Sequence, residues 1–332
     1  MRIWLFTVAF VIASLASLLN QDTFAQKAII EPLSVAEVVK VSPSEKSNFF
    51  WDYFIYVPRS LSESTNESQK KHFLVVPNNT GTSDDNIEVH NEYAKKDIAK
   101  FIKLAEQLKV VLLEPVFPRP KTKEQWKIYT HALDRDTLLT KDRKLRRLDL
   151  QLISMVDDAR QKLSSDGLQT DDKVLMWGFS ASGMFVNRFC LLHPTRVLAA
   201  TIGSPGGWAM LPIKSWNGQK LRYPIGIGDF KKAVKSDFDL EAVKQLKLYF
   251  FLGDQDTNDS VVYRDSYDKE DEKLIFRNFG SNLITRWQTA EKIYKEAGCV
   301  GCQFVIYKGV GHDTNREINN DIRAFFIKAL QN

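Results

Sequence analysis

The sequence predicts an α/β fold: a doubly wound, mostly parallel sheet with helices on both faces, built as a single domain with insertions. Short runs rich in β-branched and aromatic residues alternate along the chain with amphipathic stretches of helical period. Several of these runs are apolar throughout, as expected for parallel strands covered on both faces. With 44% hydrophobic residues among 332, the chain can bury one large core.

Seven short runs are predicted to be strands because each is rich in β-branched, aromatic or other apolar residues. They are residues 49–57, 72–76, 110–114, 173–177, 197–202, 246–252 and 303–307. Helices are predicted where apolar residues recur every three or four positions. These stretches are residues 92–108, 145–163, 184–192, 282–297 and 315–330.

Two long stretches interrupt the alternation. Residues 117–144, rich in Pro, Lys and Arg, follow the 110–114 strand, and residues 204–244 follow the 197–202 strand. In a sheet of this type, ligands bind at the carboxyl ends of the strands. Both insertions are therefore candidates for the walls of a substrate site or for a small cap.

The N-terminal segment has the character of a targeting sequence. Arg2 precedes an uncharged, largely apolar run from Ile3 to Leu19, and Thr23-Phe24-Ala25 offers small residues at a cleavage point. This order is typical of a secretory signal peptide. We therefore expect residues 1–25 to be removed, residues 26–332 to form the folded domain, and the protein to be periplasmic or secreted. An uncleaved membrane anchor is the alternative, because the apolar run is close to the shortest spanning length.

Three cysteines are too few for a scaffold built on disulfides, so the fold depends on its hydrophobic core. Cys299 and Cys302 form a Cys-x-x-Cys pair, and no second pair or neighbouring histidines complete a zinc site. In an exported protein we expect these two residues to form a small-loop disulfide. Cys190 lies in a helical stretch and is expected to be a buried apolar residue.

The formal charge of +5 arises mainly in one region. Residues 119–147 contain ten Lys or Arg and four Asp or Glu, so the remainder of the chain is close to neutral. A charge this small does not indicate nucleic-acid binding, which needs a concentrated basic face. The basic segment is interpreted as a solvated, mobile surface. The alternative is a basic lip at the active-site mouth that attracts anionic substrates or an acidic envelope surface.

The chemistry is concentrated at the end of the 173–177 strand. There the sequence reads Gly178-Phe179-Ser180-Ala181-Ser182-Gly183, and a helical stretch follows. Small residues around a central serine permit a tight strand-to-helix turn that exposes the serine oxygen. The helix N-terminus behind it offers free N–H groups to a developing oxyanion. This segment resembles the nucleophile elbow of the α/β-hydrolase superfamily, Gly-x-Ser-x-Gly, except that Ser182 stands where the family has its last glycine.

The resemblance implies an acid and then a histidine downstream of Ser180. The 246–252 strand runs into an Asp-rich turn, in which the family's Gly-x-x-Asp pattern selects Asp256. The alternatives for the acid are Asp254, Asp259 and the more distant Asp229. His312 stands in a Gly-rich loop after the 303–307 strand and is the expected base. A serine hydroxyl needs such a base to accept its proton, and the acid would hold the imidazole tautomer.

The oxyanion hole is predicted to combine the Ala181 N–H with a donor from the loop after the 72–76 strand. That loop reads Pro77-Asn78-Asn79-Thr80-Gly81 and lacks the His-Gly-Gly signature of many esterases. Asn79 and Thr80 are the candidates for the second donor.

Residues 129–136 form an unusual polar stretch in the first insertion. Together with residues 189–194 behind the elbow, it resembles bacterial exported hydrolases of the superfamily that lack an assigned substrate. Tyr129, His131 and Arg135 are therefore candidates for substrate binding, as is Trp208 in the second insertion. The alternative is structural: a polar network that pins the insertion to the sheet, and a tryptophan that packs.

The resemblance implies a serine hydrolase that cleaves a small or polymeric carboxylic ester through a Ser-bound acyl intermediate. A peptidase or a polyester (polyhydroxyalkanoate-type) depolymerase is the alternative on the same fold, and a non-catalytic binding protein is a third. Dehalogenase chemistry is excluded because it needs an aspartate at the nucleophile position. No metal or other cofactor is expected, since neither a His-x-x-x-His motif nor a Gly-rich nucleotide loop is present.

Overall fold

The structure, a computed structural model, describes residues 33–62, 70–79, 81–264 and 266–331. The predicted signal peptide and its cleavage point lie outside the described residues. Within the described ranges, no helix is both long and apolar enough to cross a membrane.

Eight strands of the described chain form one sheet, and two more form a hairpin. The strands are β1 (Val38–Val41), β2 (Tyr53–Tyr56), β3 (Phe73–Val75), β4 (Val111–Pro115), β5 (Val174–Phe179), β6 (Val197–Gly203), β7 (Ser215–Trp216), β8 (Gln219–Lys220), β9 (Lys247–Gly253) and β10 (Cys302–Tyr307). The order in the sheet is β1-β2-β4-β3-β5-β6-β9-β10. β2 runs antiparallel to both of its neighbours, and the pairs from β4 to β10 are parallel. The predicted mostly parallel sheet is therefore confirmed.

Helices cover both faces of this sheet. They are α1 (Arg59–Ser62), α2 (Ile87–Leu108), α3 (Arg135–Leu139), α4 (Leu148–Ser165), α5 (Ala181–Leu192), α6 (Phe230–Val234), α7 (Leu240–Lys244), α8 (Ser260–Tyr263), α9 (Lys269–Phe279), α10 (Leu283–Glu296) and α11 (Arg316–Gln331). One apolar cluster lies between the sheet and α4, α5 and α10, and a second lies between the sheet and α2 and α11. Successive side chains of β5 point to opposite faces of the sheet, so this strand contributes to both clusters. Val174 and Met176 belong to the first cluster, and Leu175 belongs to the second.

The two insertions carry short elements of their own and contact each other. The first contains a 3-10 turn at Thr130–Ala132 and α3, and the second contains the β7–β8 hairpin, α6 and α7. Nη2 of Arg135 lies 2.7 Å from Oδ2 of Asp229, which joins α3 to the second insertion. The Tyr223 hydroxyl donates to the Leu133 carbonyl across the same boundary. The insertions therefore form one connected layer.

The expected disulfide between Cys299 and Cys302 is not present, because both residues are buried free thiols. The Cys-x-x-Cys turn brings the two thiols into a hydrogen bond, which lowers the pKa of Cys299 and raises that of Cys302. The Cys-x-x-Cys spacing predicts that the two thiols lie close together, but it does not determine whether they are oxidised to a disulfide. Cys190 is buried in α5, as predicted.

Candidate active site

Ser180 occupies a strained turn between β5 and α5. Its backbone has φ 57° and ψ −123°, a combination that costs a non-glycine residue about 1–3 kcal/mol. Two backbone hydrogen bonds hold it there: Ser180 N–H donates to the Gly203 carbonyl (2.9 Å), and its carbonyl accepts from Met184 N–H (3.0 Å). The turn leaves the Ser180 side chain partly exposed at the carboxyl end of β5.

The small residues around Ser180 each have a structural reason. A side chain at Gly178 would collide with the Ser182 backbone, and one at Gly183 would collide with the Gly203 carbonyl. Ser182 is buried, and its hydroxyl donates to the Phe179 carbonyl (2.9 Å) and accepts from the Phe179 N–H (3.1 Å). The serine that departs from the family pattern therefore clamps the peptide just before the nucleophile position.

Asp256 and His312 form a hydrogen-bonded pair. Nδ1 of His312 lies 2.9 Å from Oδ2 of Asp256, whose side chain is 1% exposed. Burial opposes ionisation of Asp256, but hydrogen bonds from His312, Ser204 and the Asn258 N–H outweigh it and lower the pKa of the carboxyl. The carboxylate therefore fixes the imidazole with its proton on Nδ1 and its acceptor on Nε2.

The alternative acids have other partners. Asp254 accepts the Gly309 N–H (2.7 Å), and so ties the Asp256 turn to the loop that carries His312. A backbone bond from Gln255 N–H to the Val310 carbonyl (2.9 Å) strengthens the same connection. Asp259 is paired with buried Arg286, and Asp229 with Arg135.

Ser180, Asp256 and His312 follow β5, β9 and β10, which lie within four consecutive strands of the sheet. The His312 ring packs against Phe179, the residue before Ser180, with ring centroids 4.8 Å apart. Within the described contacts, the Ser180 hydroxyl makes no hydrogen bond. Nε2 of His312 is occupied instead by Nδ2 of Asn258, at 2.8 Å. The resting site thus holds an oriented imidazole whose acceptor nitrogen is capped.

The oxyanion candidates lie on two elements. Ala181 is the first residue of α5, so its N–H has no acceptor within the helix. Asn79 follows β3 and is partly exposed, and its side-chain oxygen accepts the Gly81 N–H at 3.3 Å. Thr80 lies outside the described residues.

Sequence reasoning missed Asn78, which holds in place the loop after β3 that carries the oxyanion candidate Asn79. Asn78 is fully buried, and its amide pairs with the Phe117 backbone by donating to its carbonyl (2.9 Å) and accepting its N–H (3.0 Å). Nε2 of His131 lies 2.7 Å from the same carbonyl, and its ring contacts His90 edge-on at 5.6 Å. This network joins the oxyanion loop to the first insertion.

Two of the four substrate-binding candidates lie in the interior instead. His131 is 1% exposed, and burial lowers its pKa to about 3, so the ring is neutral near neutral pH. Trp208 is 3% exposed; its Nε1–H donates to the Ile225 carbonyl (3.1 Å) and its ring packs on Phe279. These positions correct the expectation of substrate contact and favour the structural alternative for both residues, because neither side chain reaches a surface that a substrate could touch.

Tyr129 and Arg135, by contrast, line a cleft of about 550 Å³ between the first insertion and residues 263–271. The guanidinium of Arg119 lies 3.9 Å above the Tyr129 ring. Exposed Trp126 and Tyr263 also line this cleft and contribute aromatic surface to it. Tyr129 and Arg135 therefore remain candidates for substrate contact.

The basic segment 119–147 is divided by the fold. Arg135 and Arg147 are paired with Asp229 and Asp149. Farther along the segment, the Arg143 guanidinium lies over the ring of Phe50, which comes just before β2. In the sheet, β4 and β3 lie between β2 and β5, the strand that leads to Ser180. The segment is therefore not one continuous basic lip. No group of His, Cys, Asp and Glu suited to a metal ion occurs in the part of the chain that the structure describes.

Several solved structures share this architecture. Poly(aspartic acid) hydrolase-1 from Sphingomonas sp. KT-1 is 17% identical, with 88% of this chain and 98% of that chain covered and a TM-score of 0.58. The poly(3-hydroxybutyrate) depolymerase LpqC from Bordetella parapertussis is 17% identical over 84% of this chain and 86% of that one, with a TM-score of 0.53. FphF, a fluorophosphonate-binding serine hydrolase of Staphylococcus aureus, is 11% identical, with 90% of this chain and 100% of that chain covered and a TM-score of 0.50.

No family model matches the sequence, and no curated protein matches it. Because these solved structures are only 11–17% identical to this chain, their similarity to it is a similarity of fold. Together with the parallel sheet and the strand-to-helix turn at Ser180, it confirms the predicted α/β-hydrolase fold.

Proposed function

We propose that this chain is a serine hydrolase that cleaves carboxylic esters through an acyl intermediate on Ser180. The observation that carries the proposal is the Asp256–His312 hydrogen bond of 2.9 Å beside a strained serine turn. A buried carboxylate that orients an imidazole is the device that allows a serine hydroxyl to lose its proton during attack.

In this mechanism, Nε2 of His312 takes the Ser180 hydroxyl proton as Oγ bonds to the ester carbonyl carbon. The Ala181 N–H and a donor from the 77–81 loop stabilise the negative oxygen of the tetrahedral intermediate. The protonated imidazole then gives its proton to the departing alcohol oxygen as the carbon–oxygen bond breaks. Water, deprotonated by the same nitrogen, then attacks the acyl carbon. The bond between this carbon and Ser180 Oγ breaks, the imidazolium returns its proton to Oγ, and the acid is released. Asn258 must leave Nε2 before the first step.

Polymer cleavage on the same site is the second candidate, as a polyester depolymerase or a peptidase. Two neighbours of similar fold, with TM-scores of 0.58 and 0.53, are described as hydrolases of polymers. The open, aromatic-lined cleft beside Tyr129 and Arg135 is suited to an extended chain. Initial rates on p-nitrophenyl esters of increasing acyl length, on peptides and on polyhydroxyalkanoate separate these substrates.

A fluorophosphonate probe tests the nucleophile directly. We expect wild type to be labelled on the peptide that contains Ser180, and Ser180→Ala to remain unlabelled. His312→Ala should slow labelling by about 10²–10⁴-fold, the usual contribution of a general base. Ser165→Ala, which changes an exposed serine on α4, is the matched control and should label like wild type. Absence of labelling in wild type, or equal labelling of Ser180→Ala, would refute the proposal.

Export is part of the proposal and rests on the N-terminal sequence alone. The intact mass of the protein recovered from the periplasm or medium should correspond to a chain that begins at Gln26. A product that retains Met1 and fractionates with membranes would support the anchor alternative instead.

A further inference from the structure

A groove lies between α2 and α11, and its lining does not include Ser180, Asp256 or His312. Its volume is about 780 Å³, within the range of about 300–1,000 Å³ that is usual for ligand sites. The floor is apolar and half-buried, with Phe101 packed on Trp177 at 4.7 Å and Leu104 beside them. Such a floor favours aliphatic groups.

The rim of the groove is cationic. Lys100, Lys103, Arg316 and Arg323 line it, against the single carboxylate of Asp97. Lys100 is paired with Asp97 at 2.7 Å, whereas neither Lys103 nor Arg316 makes an ion pair within the described residues. Both are exposed, so α2 and α11 each contribute a positive charge without an ion-pair partner to the rim.

The cations are spaced along the groove. Arg316 and Arg323 are seven residues apart on α11, which places them on one helix face and about 10 Å apart. At the far end, Arg323 Nη1 lies 3.5 Å from Oε1 of Gln107 and bridges the two helices. The groove therefore offers positive charge over about 10 Å above an apolar floor.

One end of the groove reaches the candidate active site. Asn79 of the oxyanion loop, Phe179 before Ser180, and Thr314, two residues after His312, all line it. The His312 ring packs on Phe179, so the groove and the catalytic histidine share a wall.

We infer that this groove binds the carboxylate-bearing aliphatic chain of an extended ester substrate, an assignment that rests on the proposed function. The apolar floor takes the methylene groups, and Lys103, Arg316 and Arg323 pair with carboxylates along the chain. Such a substrate lies with its ester at Ser180 and its anionic arm between α2 and α11. Neutral esters of similar length lack the charge that the rim recognises.

Calorimetric titration of the full chain carrying Ser180→Ala tests binding without turnover. Sebacate, a ten-carbon dicarboxylate, should bind, whereas the neutral 1,10-decanediol should bind at least several-fold more weakly. Adding Lys103→Glu and Arg316→Glu should weaken sebacate binding about 5- to 20-fold, because two attractions become repulsions. The matched control is Lys273→Glu with Arg277→Glu on α9, an equal charge change at exposed positions outside the groove, which should alter the affinity less than about twofold.

Inhibition links the groove to the catalytic site. Sebacate should compete with p-nitrophenyl acetate in the wild-type enzyme, and the groove variant should raise its inhibition constant without changing KM for the small neutral ester. Equal weakening by the groove and control variants, or binding without inhibition, would overturn the inference. Tighter binding to anionic phospholipid vesicles than to sebacate would also overturn it and identify a membrane-docking surface. If no ester is hydrolysed but the binding results hold, the proposed function fails and the anionic-chain site stands.

Discussion

At Ser182, one side chain compensates for the strain at its neighbour two positions earlier. Its hydroxyl holds both the N–H and the carbonyl of Phe179, while Ser180 keeps a positive φ. The glycine that the family has at this position has no side chain and so could not make these two hydrogen bonds. The elbow of this chain therefore depends on a local hydrogen-bond clamp in addition to small residue size.

We predict that Ser182→Ala lowers the free energy of unfolding by about 1–3 kcal/mol, the cost of leaving buried polar groups without a partner. Ser182→Gly, which restores the family pattern, should be at least as destabilising because it loses the same bonds. Fluorophosphonate labelling should slow in both variants. Urea denaturation followed by circular dichroism measures the stability, with Ser165→Ala as the exposed control. Stability equal to that of wild type would show that the clamp contributes nothing.

Asn258 occupies the nitrogen that the mechanism assigns to the Ser180 proton. Replacing it with alanine should free Nε2 of His312 and accelerate fluorophosphonate labelling about 2- to 10-fold, equivalent to removing one competing neutral hydrogen bond of about 0.5–1.5 kcal/mol. The backbone N–H of residue 258 would still hold Asp256 in the variant. Labelling time courses of wild type, Asn258→Ala and the double variant with His312→Ala measure the effect. Slower labelling of Asn258→Ala would mean that the amide orients the ring instead of capping it.

The candidate catalytic residues were easier to predict than the residues that hold them in place. Ser180, Asp256 and His312 stand at strand ends in a recognisable order, and two of them are hydrogen-bonded in the structure. Ser204 and Asn78 act through contacts with residues far away in the chain, and no local pattern marks such contacts. His131 shows the converse, since it was a candidate for substrate contact whereas the fold buries it in a polar network, the structural alternative.

At the scale of elements, the predicted runs correspond to β2 to β6, β9 and β10 because their apolar content reflects burial in the sheet. The edge strand β1 was missed although three of its four residues are valine, because so short a run, interrupted by Lys40, does not stand out from the surrounding sequence. α9 was missed because seven of its eleven residues are polar or charged, although Asp268 starts it with a capping box. Asn86 caps α2 at Ile87, five residues before the predicted start.

β4 carries an acid into the apolar layer beneath α2. Glu114 is fully buried, and neither carboxylate oxygen has a hydrogen-bond partner within the described residues. Burial raises its pKa well above the usual range; Asp97 adds to this and Lys100 opposes it. The folded protein therefore holds a proton on Glu114 that the unfolded chain releases above about pH 4.3.

This linkage fixes the sign of a stability effect. The contribution of protonated Glu114 to the free energy of unfolding is fully present below about pH 4.3, and it is lost as the pH rises toward the pKa of Glu114 in the folded state. Glu114→Gln cannot ionise, so its melting temperature relative to wild type should rise between pH 4 and pH 8, by about 2–4 °C for each kcal/mol of linkage. Differential scanning calorimetry across this range measures the trend. Glu92→Gln, on the exposed face of α2, is the control; a pH-independent difference for Glu114→Gln would contradict the argument.

The described chain from Leu33 onward forms one compact unit, and its cysteines provide a way to test whether it unfolds as one. Cys190 in α5 and the Cys299–Cys302 pair at the start of β10 belong to the same apolar cluster although more than a hundred residues separate them. Burial raises the pKa of Cys190, which makes its thiol unreactive in the folded state. Global unfolding is the event that exposes all three.

We therefore predict that all three thiols are alkylated by iodoacetamide with the same urea midpoint, which coincides with the loss of helical circular dichroism. Pulse labelling followed by peptide mass spectrometry measures each site separately. The pKa shifts of Cys190 and Cys299 exist only in the folded protein, so once exposed the two thiols should react at similar rates and with the same midpoint. Alkylation of Cys299 and Cys302 at urea concentrations where Cys190 stays protected would show that the region around β10 unfolds on its own. If only Cys190 reacts until a reductant is added, the protein carries the Cys299–Cys302 disulfide, and the free thiols of the structure correspond to its reduced form.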